Sequence, residues 1–441
     1  MSVLNLLKLK YTTEQLTRAR YELAWVIIGQ ASVFVGAIVS VKVLTSAMGP
    51  KSYGQLALGI TIAGFVNMFV YGPIAQIVLR FFSICQERGE LSHYSAALRK
   101  IHKASGVIVL VLSILIALAI NRLVNLEWAL LVMMASLFGI VTGVNASLTY
   151  LQNALRKRKI VALHQGADAW LRPIIAFALV LIFSNSGYNA LLGFTLGTFA
   201  TTLSLGLFTF KRDDTGLFLR DKRGQHEISK RLFSEFYSYA MPFFIFAIFG
   251  AISTYSDRWV LEALFGDKEV GIYAAIIQIA NAPIVLLMGV ITQLMIPIIF
   301  EQAGAMTNAG QASNSEKMLR QTISMTIFLL LPIVLIAYLY GKSIITIMTS
   351  PAFGGYHQSL WVVVLGLSFF HVAQLQVTKG LNYHQTKLYI WPKCIQAVTF
   401  LVLLYLFARS MSVFGAALAL CVSSFIYLIS VMFVNKNLHI T

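Results

Sequence analysis

The chain has 441 residues, of which 58% are hydrophobic and only 12% are charged. A soluble globular protein carries about twice that charged fraction, so a single soluble domain is excluded. The formal net charge is +17. A charge of this size makes nucleic acid a partner to consider until the positions of the charges are known.

The apolar residues form long runs that are separated by short polar connections, which is typical of repeated transmembrane helices. Backbone groups in lipid must be hydrogen-bonded within each segment, so helices are favoured over open sheets. In chain order the sequence predicts spans at 22–45, 55–79, 104–124, 128–152, 163–185, 188–210, 236–262, 270–300, 321–340, 358–380, 388–408 and 412–434. The fold class is therefore an all-α polytopic membrane protein with about twelve transmembrane helices.

Lysine and arginine are distributed unevenly among the predicted connections. If the N-terminus lies inside, 26 of the 34 Lys and Arg residues fall on inside segments. The outside connections hold Lys51, Arg122, Arg258, Lys268, Lys342 and Arg409. The positive-inside rule then places both termini in the cytoplasm. Because topology explains most of the charge, no nucleic-acid partner is expected.

The first ten residues, MSVLNLLKLK, lack the ordered regions of a cleavable signal peptide. A short amphipathic helix on the inner leaflet and a frayed tail are both compatible with them. The three cysteines, Cys85, Cys394 and Cys421, are scattered in or beside apolar segments. They predict neither a disulfide framework nor a metal site.

The two halves of the chain carry an internal repeat. The stretch VKVLTSAMGPKSYGQLALGITIAG from Val41 matches RWVLEALFGDKEVGIYAAIIQIAN from Arg258 at a constant offset of 217 residues. The coincident pairs include Gly49 with Gly266 and Gly54 with Gly271. The register continues to Gly72 with Gly289 and to Gln76 with Gln293.

A repeat of this length divides the chain into two units of six spans each. An even number of spans gives the two units the same orientation, so they are related by an axis along the membrane normal. The prediction is an N-terminal bundle at 1–210, a charged cytoplasmic linker at 211–231 and a C-terminal bundle at 232–441, with a central cavity between the bundles. Alternating access by rocking of the halves suits such an arrangement.

Three of these segments resemble a known family. The turn LTSAMGPKSYGQLAL, its counterpart SDRWVLEALFGDKEVGIYAAIIQIA and the segment GPIAQIVLRFFS are similar to the corresponding segments of polysaccharide-transport (Wzx-type) flippases. These flippases belong to the MOP superfamily, which also contains the MATE multidrug exporters. The resemblance implies a MATE-like fold and a carrier for an undecaprenyl-diphosphate-linked oligosaccharide, such as an O-antigen unit. It further implies the bacterial cytoplasmic membrane, lipids and other glycan-assembly membrane proteins as surroundings.

The first candidate site lies in GADAWLRPIIAFALV, at 166–180. Arg172 is placed near the middle of the fifth span, and Asp168 lies one turn earlier, a spacing that permits an ion pair. In one interpretation Arg172 faces the cavity and offers a forked donor to a phosphate or an acidic sugar. In the other interpretation the pair holds two helices together.

The other candidates carry the same two interpretations, cargo contact or ordinary packing. Amide side chains suit sugar hydroxyls, but they also join helices. The further cavity candidates are Lys42, Asn67, Gln76, Gln278, Asn281, Gln293 and His371. Lys379, Lys393 and Arg258 are candidates for the mouth of the cavity, although topology or a salt bridge at the rim also accounts for them.

No motif for enzymatic chemistry is present. The sequence has no phosphate-binding glycine loop, no metal-spaced His and Cys set and no nucleophile elbow. No cofactor is expected, and coupling to a proton or sodium gradient is left open. A MATE-type drug or cation antiporter is the main alternative, but it would require a cavity with deep carboxylates. A membrane-bound glycan polymerase or ligase would require a large outer loop, which this chain lacks.

Overall fold

A computed structural model of the chain describes residues 13–211, 225–303, 309–383, 385–436 and 438. The segment at residues 1–10 and most of the predicted linker at 211–231 lie outside the described residues. The described part is nearly all helical. The helices are α1 (Thr13–Val66), α2 (Gly72–Glu87), α3 (Leu91–Leu123), α4 (Leu126–Ala154), α5 (Arg158–Ile182), α6 (Gly187–Lys211), α7 (Gln225–Phe265), α8 (Asp267–Ala303), α9 (Ala309–Met348), α10 (Ser359–Asn382) and α11 (Ile390–Lys436).

Three short elements complete the described chain. A π-helical turn at Asn67–Tyr71 joins α1 to α2, and 3₁₀ turns at Pro351–Tyr356 and Thr386–Tyr389 precede α10 and α11. We call the end of the bundle where α1 begins the basic end, because Lys and Arg concentrate there, and we call the other end the opposite end.

Two helical segments contain two spans each, namely α1 with its continuation through the π-helical turn into α2, and α11. In α1 the chain reverses at Gly49, which has φ 69°, and in α11 it reverses at Ser412, which has φ 51°. The described residues contain nine helices long and apolar enough to cross a membrane, and a tenth if the bent helix α7 is included. Divided at Gly49 and Ser412, these ten become the twelve predicted spans. The predicted all-α, twelve-helix architecture is confirmed.

The repeat-related turns meet each other at the opposite end. Gly266, the repeat partner of Gly49, also has a positive φ of 85°, so both turns use a conformation that favours glycine. A Cβ on Gly54 would overlap the backbone carbonyl of Asp267, and a Cβ on Gly271 would overlap the carbonyl of Pro50. Since Pro50 and Asp267 are themselves 217 residues apart, the contacts are reciprocal, as a pseudo-two-fold axis requires.

The two halves also touch along the length of the bundle. The contact between α1 and α8 is the most extensive between any two described helices. At the opposite end it is reinforced by a hydrogen bond from Gln55 Nε2 to Asp267 Oδ2 of 3.3 Å. The rings of Tyr53 and Phe353 meet edge to face nearby, with centroids 5.9 Å apart. The opposite end is therefore closed between the halves.

Helix α7 bends by 51° between its segments Lys230–Met241 and Phe246–Phe265. Its first segment packs on the first half, where Phe236 contacts Phe81 and Tyr94. Ion pairs reinforce this packing. Arg231 reaches Glu90 at 2.5 Å and Arg88 reaches Glu235 at 3.0 Å. As a whole, α7 also contacts α8 and α11, so it connects the two halves mechanically.

Candidate functional site

A polar cleft opens within the first half, between α1, α4 and α5. Its volume is about 440 Å³. It extends from the basic end, where Asn153 lies, to the middle of the bundle. The residues that line this first-half cleft are mostly amides and hydroxyls, namely Gln30, Val33, Thr142, Asn145, Ala146, Thr149, Tyr150, Asn153, Gln165, Asp168, Ala169 and Arg172.

Arg172 stands at the deep end of this cleft. At about 1.5 Å per residue it lies roughly 21 Å along α5 from Arg158, well inside a hydrocarbon core of about 30 Å. Arg172 and Asp168 form the ion pair that their spacing permits, from Nη2 to Oδ2. Their side chains are 30% and 13% exposed. The pair is therefore held by protein on one side and accessible from the cleft on the other.

Helices α4 and α6 fix the position of the pair. Arg172 Nε donates a 2.7 Å hydrogen bond to Thr198 Oγ1, and Thr201 Oγ1 donates to Asp168 Oδ1 at 3.1 Å. The guanidinium lies over the ring of Phe138 at 5.3 Å, a contact that stabilises a cation. The absence of a side chain at Gly197 lets α6 approach the α5 backbone at Arg172.

The charges at the deep end are balanced. Of the residues that the structure describes, Asp168 and Arg172 are the only two Asp, Glu, Lys or Arg that line the first-half cleft, and they neutralise each other. The guanidinium still has N–H groups to offer, because only Nε and Nη2 have protein acceptors in these contacts. The cleft can thus bind hydroxyl-rich groups along its length and one acceptor oxygen or anion at its end.

A second cleft, the interhalf cleft, lies between α2 and α7. It has a volume of about 410 Å³ and contains Asn67 and Gln76 among apolar and aromatic neighbours such as Phe243, Phe246 and Tyr255. Asn67 Nδ2 donates to Thr142 Oγ1 at 2.9 Å. Since Thr142 lines the first-half cleft, this hydrogen bond joins the walls of the two clefts.

The α1–α8 interface is the repeat-related counterpart of the interhalf cleft, and it is closely packed. There Gly289 of α8 approaches Gln30 of α1, and a Cβ on Gly289 would lie 3.0 Å from Gln30 Oε1. The equivalent pair in the interhalf cleft is Gly72 with Ala247. Because alanine replaces glutamine at that position, the α2–α7 side is open where the α1–α8 side is packed.

The three candidates on α8 line neither of these clefts. Gln278 and Gln293 are exposed and Asn281 is half-buried. Gln293 lies one helical turn from Gly289, which approaches Gln30. The structure therefore brings Arg172, Asp168, Asn67 and Gln76 into two adjoining clefts and leaves the α8 amides at their side.

The remaining cavity candidates have local partners. Lys42 Nζ donates to the backbone carbonyl of Thr349 at 2.7 Å, so it ties the halves together near the opposite end. Arg258 lies 3.3 Å from Asp257 and donates to the carbonyl of Thr254. The ring of His371 packs edge to face against Phe370. None of these three lines the first-half cleft or the interhalf cleft.

Lys379 and Lys393 lie within the second half. Lys379 pairs with Glu316 at 3.0 Å near the basic end. The ammonium group of Lys393 lies over the rings of Phe370 and Tyr427, at 4.9 and 5.4 Å from their centroids. Both side chains therefore have protein partners within the second half.

Sequence reasoning missed most of the first-half cleft. The residues it missed on α4 are Thr142, Asn145, Thr149 and Asn153. Their spacing of three or four residues repeats the period of a helix face, so the signal was present in TGVNASLTYLQN. The contribution of Gln30 depends on how α1 packs, which no local pattern reports.

This sequence and its architecture are similar to those of known proteins. The model of the polysaccharide biosynthesis protein family matches residues 21–303, which is more than half of the chain. No curated protein matches the sequence. Among solved structures, the lipid II flippase MurJ in an inward closed conformation superposes with a TM-score of 0.69 at 15% identity, over 95% of this chain and 88% of that chain.

Other structures of the superfamily are also similar. An inward-facing multidrug resistance MATE transporter has a TM-score of 0.58 at 13% identity, covering 94% of both chains. A MOP transporter from Pyrococcus furiosus, described by a reversed polarity of its binding pocket, has a TM-score of 0.57 at 12% identity, covering 94% of this chain and 93% of that one. At these identities the similarity concerns the fold. The chain thus belongs to the polysaccharide biosynthesis protein family and has the membrane-transporter fold of the MOP superfamily.

Proposed function

We propose that this protein is a flippase that moves a polyprenyl-diphosphate-linked oligosaccharide across the bacterial cytoplasmic membrane by alternating access. The observation that carries the proposal is the first-half cleft, a polar recess that reaches from the basic end to an arginine at mid-depth. The basic end is the cytoplasmic end in this account, since it carries the excess of Lys and Arg.

The chemistry of the cleft suits a glycan better than a drug. Four amide side chains, those of Gln30, Asn145, Asn153 and Gln165, line it. Amides donate and accept at once, as sugar hydroxyls do. Arg172 supplies N–H donors for a phosphate or an acidic sugar at the deep end. The apolar interhalf cleft next to it, with Phe243 and Phe246, offers a surface for the lipid portion of the same cargo.

A MATE-type cation antiporter would require an unpaired carboxylate in the cavity. Within the described part of the chain, Asp168 is the only carboxylate that lines the first-half cleft, and it already pairs with Arg172. A cation would have to displace the arginine before it could bind there. The geometry therefore favours the oligosaccharide over the cation, with O-antigen or a related surface glycan as the expected cargo.

Substitution of Arg172 tests this proposal. Arg172→Ala should abolish surface glycan while the amount of membrane-inserted protein stays at the wild-type level, and lipid-linked glycan should accumulate in the cytoplasmic leaflet. Arg172→Lys should retain only part of the activity, because an ammonium cannot replace the fork that contacts Thr198 and Asp168. Glycan display and protein level are measured on the same cells.

The matched control is Arg409→Ala, which removes an exposed arginine at the opposite end and should leave display unchanged. Loss of the protein itself in Arg172→Ala would show that the ion pair only holds α5 in place. Full activity of Arg172→Lys would contradict recognition by the guanidinium fork.

A further inference from the structure

Lys393 occupies a half-buried position in the second half. It lies on the same face of α11 as the buried residues Ala397, Phe400 and Leu404. Its Nζ donates to Gln396 Oε1 at 2.8 Å. The rings of Phe370 and Tyr427 stack on each other with centroids 5.9 Å apart, and the ammonium group lies over both. These contacts surround the group with aromatic faces and one amide oxygen.

Among the residues that the structure describes, no carboxylate pairs with this ammonium group. Glu316 is the last Asp or Glu of the sequence, and it is engaged by Lys379 at 3.0 Å and by Tyr383 at 2.7 Å. Removing a charge from water without a counter-charge is costly. Lys393 lies three residues beyond the start of α11 at Ile390, about 4.5 Å along the helix, so it stands just inside the basic end of its span. Ionisable groups within membrane spans usually have a function.

The ionisable groups on the elements around Lys393 are few. The helices that pack on α11 carry them near their ends, with the exception of His371, which follows Phe370. Those of α9, α10, α11 and the preceding 3₁₀ turn are Glu316, Lys317, Arg320, Tyr338, Tyr340, Lys342, His371, Lys379, Lys387, Tyr389, Cys394, Tyr405, Arg409, Cys421, Tyr427 and Lys436, and the charged groups of α7 and α8 whose side chains the structure describes are Glu227, Lys230, Arg231, Glu235, Asp257, Arg258, Glu262, Asp267, Lys268 and Glu269.

A cavity of the second half that is wide enough to admit water lies at the basic end. This basic-end pocket has a volume of about 240 Å³ and lies between α9, α10 and α11, with Glu316, Gln376, Lys379 and Asn435 in its wall. Burial, and then the hydrogen bond to Glu316, raise the pKa of Tyr383 to about 12. Tyr383 thus stays protonated at cellular pH and remains a donor to Glu316.

Polar contacts continue from this pocket toward Lys393. Lys379 Nζ donates to the backbone carbonyl of Asn435 at 3.1 Å, and Asn435 Nδ2 donates to Gln376 Oε1 at 3.1 Å. Tyr389 donates its hydroxyl hydrogen to Asn435 Oδ1. Tyr389 and Tyr427 belong to one cluster of packed side chains, and the ring of Tyr427 lies under the ammonium group of Lys393. Hydrogen bonds and side-chain packing therefore lead from the pocket to the half-buried lysine.

We propose that Lys393 is a proton-binding site that couples movement of the two halves to a proton gradient. The amine of Lys393 takes up one proton from water of the basic-end pocket and becomes an ammonium ion, and it releases the same proton when the rings of Phe370 and Tyr427 separate. No other reactant is consumed. A lysine amine that is shielded from water and lacks a carboxylate partner can exchange protons near neutral pH. The coupling part of this inference rests on the proposed transport function, but proton binding itself requires no cargo.

The test is a pH jump on proteoliposomes that contain the purified full-length protein and no glycan, with the transient charge movement recorded on a solid-supported membrane. Wild-type protein should give a charge movement whose amplitude depends on pH. Lys393→Gln should lose that component. Lys393→Arg should lose it as well, because arginine keeps the positive charge over the rings but does not deprotonate.

Two further variants complete the experiment. Lys387→Gln removes an exposed lysine six residues away and should behave as wild type. Tyr389→Phe removes the hydroxyl group that donates to Asn435, so it should slow the charge movement several-fold; it decides the question if the Lys393 variants do not fold. A wild-type response in Lys393→Arg or Tyr389→Phe, or no charge movement in the wild type, would overturn the proposal. Because no cargo is present, these outcomes do not depend on whether the protein moves glycans.

Discussion

Arg172 shows how a single polar residue is accommodated at membrane depth. An arginine at mid-bilayer costs about 2.5–3.5 kcal/mol on insertion scales when nothing compensates it. Here Asp168 provides a counter-charge, Thr198 an acceptor and Phe138 an aromatic face. Each partner comes from a different part of the fold, so the folded first half is required to stabilise the guanidinium group.

Thr198 should be a positioning residue for Arg172. A hydrogen bond to a charged group contributes about 1.5–3 kcal/mol, so Thr198→Val should reduce the transport rate roughly tenfold or more. The loss of transport rate should be smaller than in Arg172→Ala, since Asp168 still holds the guanidinium group. The rate is measured as the appearance of new surface glycan after induction, normalised to protein amount.

The control for this prediction lies one turn earlier on the same helix. Thr195 is buried, and its hydroxyl group donates only to the carbonyl of Leu191 in the contacts described. Thr195→Val should therefore leave transport near the wild-type rate. Equal losses in both variants would mean that α6 is merely destabilised.

At the scale of single residues, the sequence predicted the contacts of some side chains and not those of others. The spacing of Asp168 and Arg172 on one helix face predicted their ion pair, because the geometry is local. Lys393 was placed at the cavity mouth, because its distance from the end of a span was the only information available. Its position over Phe370 and Tyr427 depends on the packing of α10 against α11, which a single sequence does not contain.

Among the elements, the repeat-matched glycine turns were the most predictable. Gly49 and Gly266 coincide in the repeat, and both adopt a positive φ. The kink at Ser412 was not marked by glycine or proline, so only the two apolar runs on either side indicated it. The bend of α7 was not predicted either, although Pro242 lies in the sequence between its two segments and is a residue type that kinks helices.

The close approach of Gly54 and Gly271 should be required for closure of the opposite end. Gly54→Val places a side chain where the carbonyl of Asp267 lies, so the halves must separate there. We expect disulfide formation between cysteines at positions 55 and 267, introduced as Gln55→Cys and Asp267→Cys, to fall several-fold. It is measured as the fraction of oxidised protein in membranes.

Gly354→Val serves as the reference for that experiment. A Cβ on Gly354 meets no other atom within 4 Å, although this glycine also lies at the opposite end. In Gly354→Val, cross-linking should remain at the level of the parent protein, which carries Gln55→Cys and Asp267→Cys alone. If Gly54→Val cross-links as well as its parent, the glycine contact does not determine closure.

On the scale of the whole molecule, the two halves are alike in topology, but the two interfaces between them differ in how closely they are packed. The α1–α8 side is packed through Gln30 and Gly289, and the α2–α7 side contains the interhalf cleft. The repeat in the sequence indicated two parallel bundles and an axis between them. It did not indicate this asymmetry, because the exchange of glutamine for alanine at equivalent positions has consequences only after packing.

The central claim is that the cleft ending at Arg172 carries a lipid-linked glycan across the bilayer. The most direct measurement is translocation of a defined polyprenyl-diphosphate-linked oligosaccharide in liposomes, followed by its accessibility to a glycan-cleaving enzyme added outside. Wild-type protein should expose the inner-leaflet pool, and Arg172→Ala should expose it no faster than protein-free vesicles do. Equal exposure by both proteins, or none by the wild type, would contradict the account.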